Sequence, residues 1–479
     1  MAILDTSIAI YNYFEQIAKI PHGSYNEGKI ADFIVQVAKK NNLKYIKDDI
    51  NNVIVFKDAS QGYEKHPPLM LQGHMDMVNE KNNDSDHDFD NDPLDLYVED
   101  GFLHAKGTTL GADDGCGVCY MLAILTDKNL KHPALECVFT VQEEVGLCGA
   151  FGLDTTVLLS KRMIGLDSET QGQTCTSSSG GRDVMITKPF HFEDNEQPIY
   201  TLEIKGLLGG HSGECIDLAR GNANKLTARV LYYLLKEGID VHLIEINGGL
   251  KNNAIPRECT CSFSSSTSYE EITHAVMKIY NDIKYELENS DPNIEISLYQ
   301  NEEDCDICIC RDDSEAIITM IYLMPNGMIE KSQMIKNLTT ISLNMGIIRT
   351  YEDRLTIDYS LRTPIESIRN ELTMQLDTIA SLFNAYSESS NDYPGWDYDA
   401  HSQLRQQFKE FYKSKTGNDL KEIATHGGLE TGILKGKILE LDIITMGPNM
   451  SDIHTPDEKL DLKSYLETYQ LLVEFIETL

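Results

Sequence analysis

Residues 68–76 read PLMLQGHMD, a brief apolar run too short for a helical repeat, ending on a histidine and an aspartate one residue apart. Apolar runs of about four to eight residues bounded by turn formers read as buried strands, and polar groups at their carboxyl ends face the ligand crevice of an α/β sheet. Three other runs share the form. ECVFTVQ (136–142) leads into Glu143 and Glu144, KRMIGL (161–166) leads into Asp167, and ILELDIITM (438–446) precedes SDIH (451–454). Between them lie helical patterns, with Ile30, Phe33, Ile34 and Val37 in 24–40 and Val118, Met121, Leu122 and Leu125 in 115–125. Strands alternating with helices predict an α/β layer architecture.

From residue 200 the order changes. Strand 200–205, helix 222–237, strands 241–246 and 257–264, helix 269–288 and strand 293–299 form a β-α-β-β-α-β series of ferredoxin-like type. A helix near 313–323, strands around 339–348 and 354–361 and a long helix at 366–387 follow, partly echoing the first set without a sequence repeat. The polar, turn-rich SESSNDYPGWDYD (387–399) marks the return to α/β character, with a helix over 403–415 and a strand-like run over 437–446. The expected organisation is an α/β domain with a mixed sheet flanked by helices, in two parts (1–190 and 391–479). An α+β ferredoxin-like lid domain (191–390) interrupts it.

Composition narrows the class. The 479 residues include 41 basic and 76 acidic side chains, a formal charge of −35, which would repel nucleic acid and anionic membranes. No apolar run approaches the roughly 20 residues that span a bilayer. The opening MAILDTSIAIYNYF has no cationic start and is interrupted by Asp5, so no secretory leader is expected. Eleven cysteines, an odd number without a framework spacing, predict reduced thiols in a cytoplasmic protein.

Two imidazoles, His74 and His454, and the carboxylates of Asp76, Asp113, Glu143, Glu144 and Asp167 make a borderline-hard donor set suited to zinc, cobalt or manganese. In a strand, His74 and Asp76 would share a face, letting Asp76 accept the second ring N–H of His74. Of adjacent Glu143 and Glu144, one can bind metal while the other stays free as a base, the division that metal-assisted hydrolysis needs. Each group alone has a plainer reading: a satisfied core histidine, a solvated acidic pair, a helix cap at Asp113-Asp114. Spacing alone leaves a metal centre and a set of structural carboxylates both open.

The stretches LQGHMDMVNEKN, HDFDNDPLDL, GTTLGADDGCGV, HPALECVFTVQEEVGLCGA, IGLDSE, KGLLGGHSGECI, NNAIPRE, HGGLETG and PNMSDIHTPDE run in order from residue 71 to residue 458. In them the chain resembles the binuclear-zinc peptidase family of carboxypeptidase G, peptidase T and aminoacylase, and its dipeptidases most of all. The resemblance implies a zinc-peptidase catalytic domain holding two divalent metal ions, zinc first, with cobalt or manganese as alternatives. It implies that His74, with Glu144 or Asp167, ligates the metals, that Asp113 bridges them, that His454 completes the second, and that Asp76 braces His74. Glu143 would be the general base, and a cis peptide is expected at Asp113–Asp114. His211 in GGHSG would polarise the scissile carbonyl as the lid closes. Asn253, Arg362, Gly427 and Gly428 would line the substrate pocket, with Glu430 a further candidate and Arg362 on the terminal carboxylate. A homodimer is expected from the same likeness. Members commonly carry Asn after the bridging aspartate, so Asp114 is a departure that bears on metal identity.

Three motifs are set aside. The acidic loop 84–92 lacks the Gly and Glu that a calcium loop needs, having Phe89 and Asp95 in their places. Cys305, Cys308 and Cys310 lie close together without a second ligand pair at zinc-finger spacing, and Cys116 and Cys119 suit helix packing. The expected function is metal-dependent hydrolysis of dipeptides, of broad specificity and including Xaa-His. The alternatives are an N-acyl amino acid deacylase or carboxypeptidase on the same scaffold and, more remotely, a non-enzymatic metal- or peptide-binding protein. The completeness of the proposed ligand set and the presence of Glu143 favour the enzyme.

Overall fold

The computed structural model describes residues 2–302, 305–336 and 338–479. The chain divides into two compact units, one comprising residues up to Ser178 with Trp396–Ala424 and Leu429–Leu479, the other Ser179–Gly395 with Thr425–Gly428. No helix among the described residues is long and apolar enough to cross a membrane.

The first unit is built on a six-stranded sheet in the order Lys44–Lys47, Val53–Lys57, Leu135–Thr140, Leu69–His74, Arg162–Gly165, Asp442–Thr445. The last four are mutually parallel and the first two antiparallel, a mixed sheet. Strand Leu69–His74 is buried along its whole length, as the central strand of a covered parallel sheet must be. Its side chains divide by parity. Leu69 and Leu71 join a core with helices Ala9–Ile17, Gly28–Lys40, Ala112–Thr126 and Leu462–Ile476, while Met70 joins a second core with helix Glu430–Lys437. The same alternation separates Val53 and Val55 from Ile54, and Cys137 and Phe139 from Val138. The helix read as one-sided over 115–125 is in fact buried all round from Asp114 to Leu125, because strand, helix and C-terminal helix enclose it.

The second unit carries a nine-stranded sheet. Its path runs Glu295–Gln300, Ile199–Lys205, Cys259–Ser264, His242–Gly248, Thr339–Thr350, Arg354–Thr363, Gly180–Pro189, Tyr386–Tyr393, with Gly327–Lys331 pairing off the path. Numbered within itself, the first half has the antiparallel strand order 4-1-3-2 of a ferredoxin-like unit, with helices Ala223–Lys236 and Tyr269–Glu286 as crossovers. The second half, strands Gly180–Pro189, Thr339–Thr350, Arg354–Thr363 and Tyr386–Tyr393 with helices Arg311–Leu323 and Glu366–Leu382, has the same order in mirror sequence. The echo is thus a duplication of topology, the first half being inserted after the opening strand of the second.

These pairings move the junctions. The sequence placed them after 190 and 390, whereas Gly180–Pro189 is hydrogen-bonded to Arg354–Thr363, so the crossing falls at Ser178–Ser179. The polar stretch from Ser387 is an edge strand up to Tyr393, and its largely exposed side chains are what made it resemble a linker.

The two half-sheets meet at the single pair Gly248↔Ile348. Beside it Gly249 has φ +73°, and a Cβ there would lie 1.8 Å from the carbonyl oxygen of Gly346. Gly249→Ala is expected to lower stability by more than the ~1–2 kcal/mol of a left-handed L-residue. Urea unfolding measures this, and an unchanged midpoint would mean that the junction relaxes freely.

Candidate functional site

Strand Leu69–His74 delivers His74 to the end of the sheet, fully buried. Its Nδ1 lies 3.0 Å from the Asp76 main-chain oxygen and 3.5 Å from Asp76 Oδ1. The expected carboxylate brace is therefore chiefly a carbonyl brace, because the strand ends at His74 and the chain turns. The Asp76 carboxylate does other work, accepting the amides of Glu143 (3.0 Å) and Glu144 (3.3 Å) and the Ser24 hydroxyl (2.8 Å). Gln142, with φ +52°, breaks the strand just before this pair, and Glu27 accepts its amide at 3.1 Å. The break frees Glu143 and Glu144 from strand alternation.

Asp113 stands between two imidazoles. Its Oδ1 is 3.0 Å from His74 Nε2 and its Oδ2 3.3 Å from His454 Nε2, which also lies 2.9 Å from Glu144 Oε1. The donor atoms of His74, Asp113 and Glu144 fall within 4.8 Å of one another. The peptide Asp113–Asp114 is cis. Asp114 points away from this group, into the protein. Its Oδ1 accepts the Gly117 amide at 3.0 Å, and a Cβ on Gly73 would meet its Oδ2 at 2.2 Å. The extra carboxyl that set this chain apart is thus packed beneath the strand, and burial pushes its pKa well up.

One anchor escaped the sequence reading. Glu458, four residues beyond His454, accepts the amides of Leu110 (2.7 Å), Gly111 (3.0 Å) and Ala112 (2.8 Å) with both oxygens. It ties the His454 loop to the loop that presents Asp113. Its only signal was its place in HTPDE, and chain order cannot show that a glutamate caps a loop 346 to 348 residues earlier. Glu430, a candidate for substrate contact, is buried, its Oε2 accepting from Gln72 (2.6 Å) and Thr140 (2.6 Å), and burial raises its carboxyl to about 7.

Electrostatics bear on metal binding. Burial, with the charges of Glu430, Glu144 and Asp113, pushes Glu143 up to about 8 against the pull of His74. Burial and Asp113 push Asp167 well above the carboxylate range. Asp113 and Glu144 raise His454 to about 10, and His74 is raised by Asp113 and Asp76 despite its burial. Carboxylates that cannot all ionise beside imidazoles that stay charged form a centre that holds protons where divalent cations would fit. Two imidazoles and hard oxygens also suit such ions.

The remaining candidates gather within the second unit. The ribbon pairing His211 with Ala254 puts His211 beside Asn253, whose carbonyl accepts the Ser212 amide at 2.8 Å. Arg362, buried, reaches Ser212 Oγ (3.4 Å) and Tyr393 OH (3.3 Å), and together with burial it lowers the His211 pKa. Gly428 packs on the Tyr393 ring, while Gly427 accepts the Ser179 amide at 2.9 Å. Tyr393 and His426, the latter 2.7 Å from Ser342 Oγ, belong to this group and were not singled out beforehand. Tyr393 was hidden in the apparent linker, and His426 opens the quoted HGGLETG.

A parallel-centred sheet presenting an aspartate between two histidines, with a free glutamate alongside, defines a metallopeptidase-type centre. The chain belongs to the peptidase family M20/M25/M40, whose model matches residues 70–478. It is 34% identical over 473 residues to the cytosol non-specific dipeptidase of Escherichia coli K12, covering 98% of this chain and 97% of that one. It superposes with a TM-score of 0.92 on the aminoacylhistidine dipeptidase of Vibrio alginolyticus, at 32% identity and covering 98% and 96% of the two chains. The aminopeptidase PepT of Bacillus cereus shares the fold, with a TM-score of 0.56 at 16% identity over 99% of both chains.

Two outcomes follow from the anchors and the protons. Glu458→Gln leaves an N–H facing an N–H at the 110–112 loop and is expected to weaken divalent-metal affinity by about 10–100-fold, read by chelator competition. Metal binding at pH 7 is expected to release protons, and its affinity to fall as pH falls, because a cation in this group competes with the proton that Asp113 and Glu144 hold on His454. Calorimetry in buffers of different ionisation enthalpy measures the release, and none would contradict the charge state described.

Proposed function

We propose that this chain is a dinuclear-metal dipeptidase. The observation that carries the reading is the Asp113 carboxylate offering one oxygen to each of two imidazoles, the disposition of a bridging ligand. His74 and Asp167 would hold one divalent ion and Glu144 and His454 the other, with Asp113 shared. Zinc suits the set, and cobalt or manganese can replace it. Such ions, when bound, polarise a peptide carbonyl and make water acidic enough to be deprotonated near neutrality. Glu143, held through its amide by Asp76, takes the proton from water and delivers it to the departing amine nitrogen. His211 donates to the carbonyl oxygen as negative charge builds. Arg362 receives the terminal carboxylate of the dipeptide, and Asn253, Gly427 and Gly428 line its path. The names of the Escherichia coli and Vibrio relatives support dipeptides of broad side-chain range, Xaa-His among them, and a cytoplasmic setting. A homodimer is part of the same proposal, on the family resemblance read from the sequence.

The test is hydrolysis by metal-stripped protein after addition of zinc, manganese or cobalt, with Xaa-His and other dipeptides, a tripeptide and an N-acetyl amino acid. Metal-dependent cleavage of dipeptides is expected. Turnover of the acetylated compound alone would make the chain a deacylase, and metal uptake without turnover would remove the enzyme reading. Glu143→Ala is expected to keep its metal and lose about 10²–10⁴-fold in kcat. His211→Ala is expected to lose about 10²–10³-fold, chiefly in kcat, since its contact strengthens only as the oxyanion forms.

A further inference from the structure

A second group of metal-competent side chains lies in the second unit and shares no residue with the centre described above. Strand Phe192–Asp194 pairs antiparallel with Ile307–Ile309, setting Glu193 directly opposite Cys308. His242 opens strand His242–Gly248 beside them. Its Nδ1 lies 2.7 Å from Glu193 Oε1, the Cys308 sulfur lies 4.0 Å from the same oxygen, and the three donor atoms fall within 4.8 Å of one another. The Arg311 amide also donates to Glu193 Oε1, at 3.1 Å.

The surroundings are those of a ligand set. The other ring nitrogen of His242 faces Asp240 Oδ2 at 3.8 Å. Asp240 is itself fixed by the Ser265, Ser266 and Thr267 donors, which hold its carboxyl down to about 2 against partial burial. A carboxylate behind an imidazole sets which nitrogen is free to ligate. Burial, with the charges of Glu193 and the neighbouring thiols, pushes the Cys308 thiol up, and the Ser264 hydroxyl, buried, paired with His242 across the strands and without a hydrogen-bond partner among the described residues, pulls the other way. Of the three nearby thiols, Cys305 and Cys310 have acceptors of their own, the Ile307 carbonyl at 3.2 Å and Asp313 Oδ2 at 3.4 Å, leaving Cys308 for Glu193 and His242. The Glu193 side chain is 40% exposed, so an ion has a path in.

We propose that Glu193, His242 and Cys308 form an additional metal site that takes one zinc-class divalent cation, with water as its fourth ligand. Tetrahedral zinc with bonds of about 2.0–2.3 Å separates its donors by about 3.2–3.8 Å, so Nδ1 and Oε1 must part by about half an ångström and the sulfur must move in by less. Binding releases the thiol proton, the ring hydrogen of His242 passes to Nε2 on the side of Asp240 so that Nδ1 can ligate, and no electron moves. Thiolate, imidazole and carboxylate on three strands would pin the short pair 192–194 and 307–309 to the main sheet. The site stands or falls independently of the dipeptidase reading.

Cobalt(II) titration of the metal-stripped full-length chain tests it. The centre at His74 and His454 offers only nitrogen and oxygen, so a thiolate-to-cobalt charge-transfer band in the near ultraviolet reports a cysteine ligand. The expected result is that band, together with one bound cobalt per chain that Cys308→Ser removes while the other sites still fill. Asp240→Asn is expected to weaken the ion that gives the band by about 10–100-fold, and Glu193→Gln to weaken it without disturbing the circular dichroism spectrum. Saturation without the band, or a band untouched by Cys308→Ser, overturns the proposal.

Discussion

Carboxylates crowded at the ends of strands Leu135–Thr140 and Arg162–Gly165 and at the start of helix Ala112–Thr126, in space from which water is largely withdrawn, repel one another, and the first unit is built around that repulsion. Asp113, Glu143, Glu144 and Asp167 could each drift apart at little cost if their loops were free. They do not, because other acids grip the backbone that carries them. Asp76 holds the amides of Glu143 and Glu144, Glu27 holds that of Gln142, and Glu458 holds those of residues 110 to 112. Acids that accept amide hydrogen bonds satisfy their own buried oxygens and at the same time aim the acids that do not.

This division of labour explains which parts of the site could be read in one dimension. His74, Glu143, Glu144 and Asp167 sit at the ends of apolar runs, where strand order alone makes convergence reasonable, and Asp113 and His454 became legible through the quoted stretches around them. The anchoring acids sit in loops or behind helices, and what they grip is main chain, which carries no sequence signal. His-x-Asp spacing alone places the Asp76 carboxylate beside the His74 ring. The turn after His74 sends that carboxylate to the amides instead.

The sheet of the first unit was legible because its strands are buried on both faces and so read as unbroken apolar runs. The second unit was legible in its first half, where strands and helices alternate in register with their hydrophobic faces. It was less so at its edges. Tyr386–Tyr393 has one strand neighbour among the described residues and wet side chains, so its pattern is that of a loop, and Tyr393 beside Arg362 is hidden with it. Gly180–Pro189 was divided from its true partners because these lie far along the chain, beyond the inserted half.

Nesting one half inside the other orders events in time. During synthesis, residues 199 to 300 supply a complete four-stranded half from local contacts, while the strand at 180–189 has already emerged and must wait for 339–393. Sheet closure that waits on distant chain is slow and leaves strand edges open, so the early half is the natural template for the later one. The same logic governs the first unit, whose His74 and Asp113 emerge long before His454 and Glu458. The group around Asp113 is therefore complete only once residues 454 to 458 have emerged and folded back onto it.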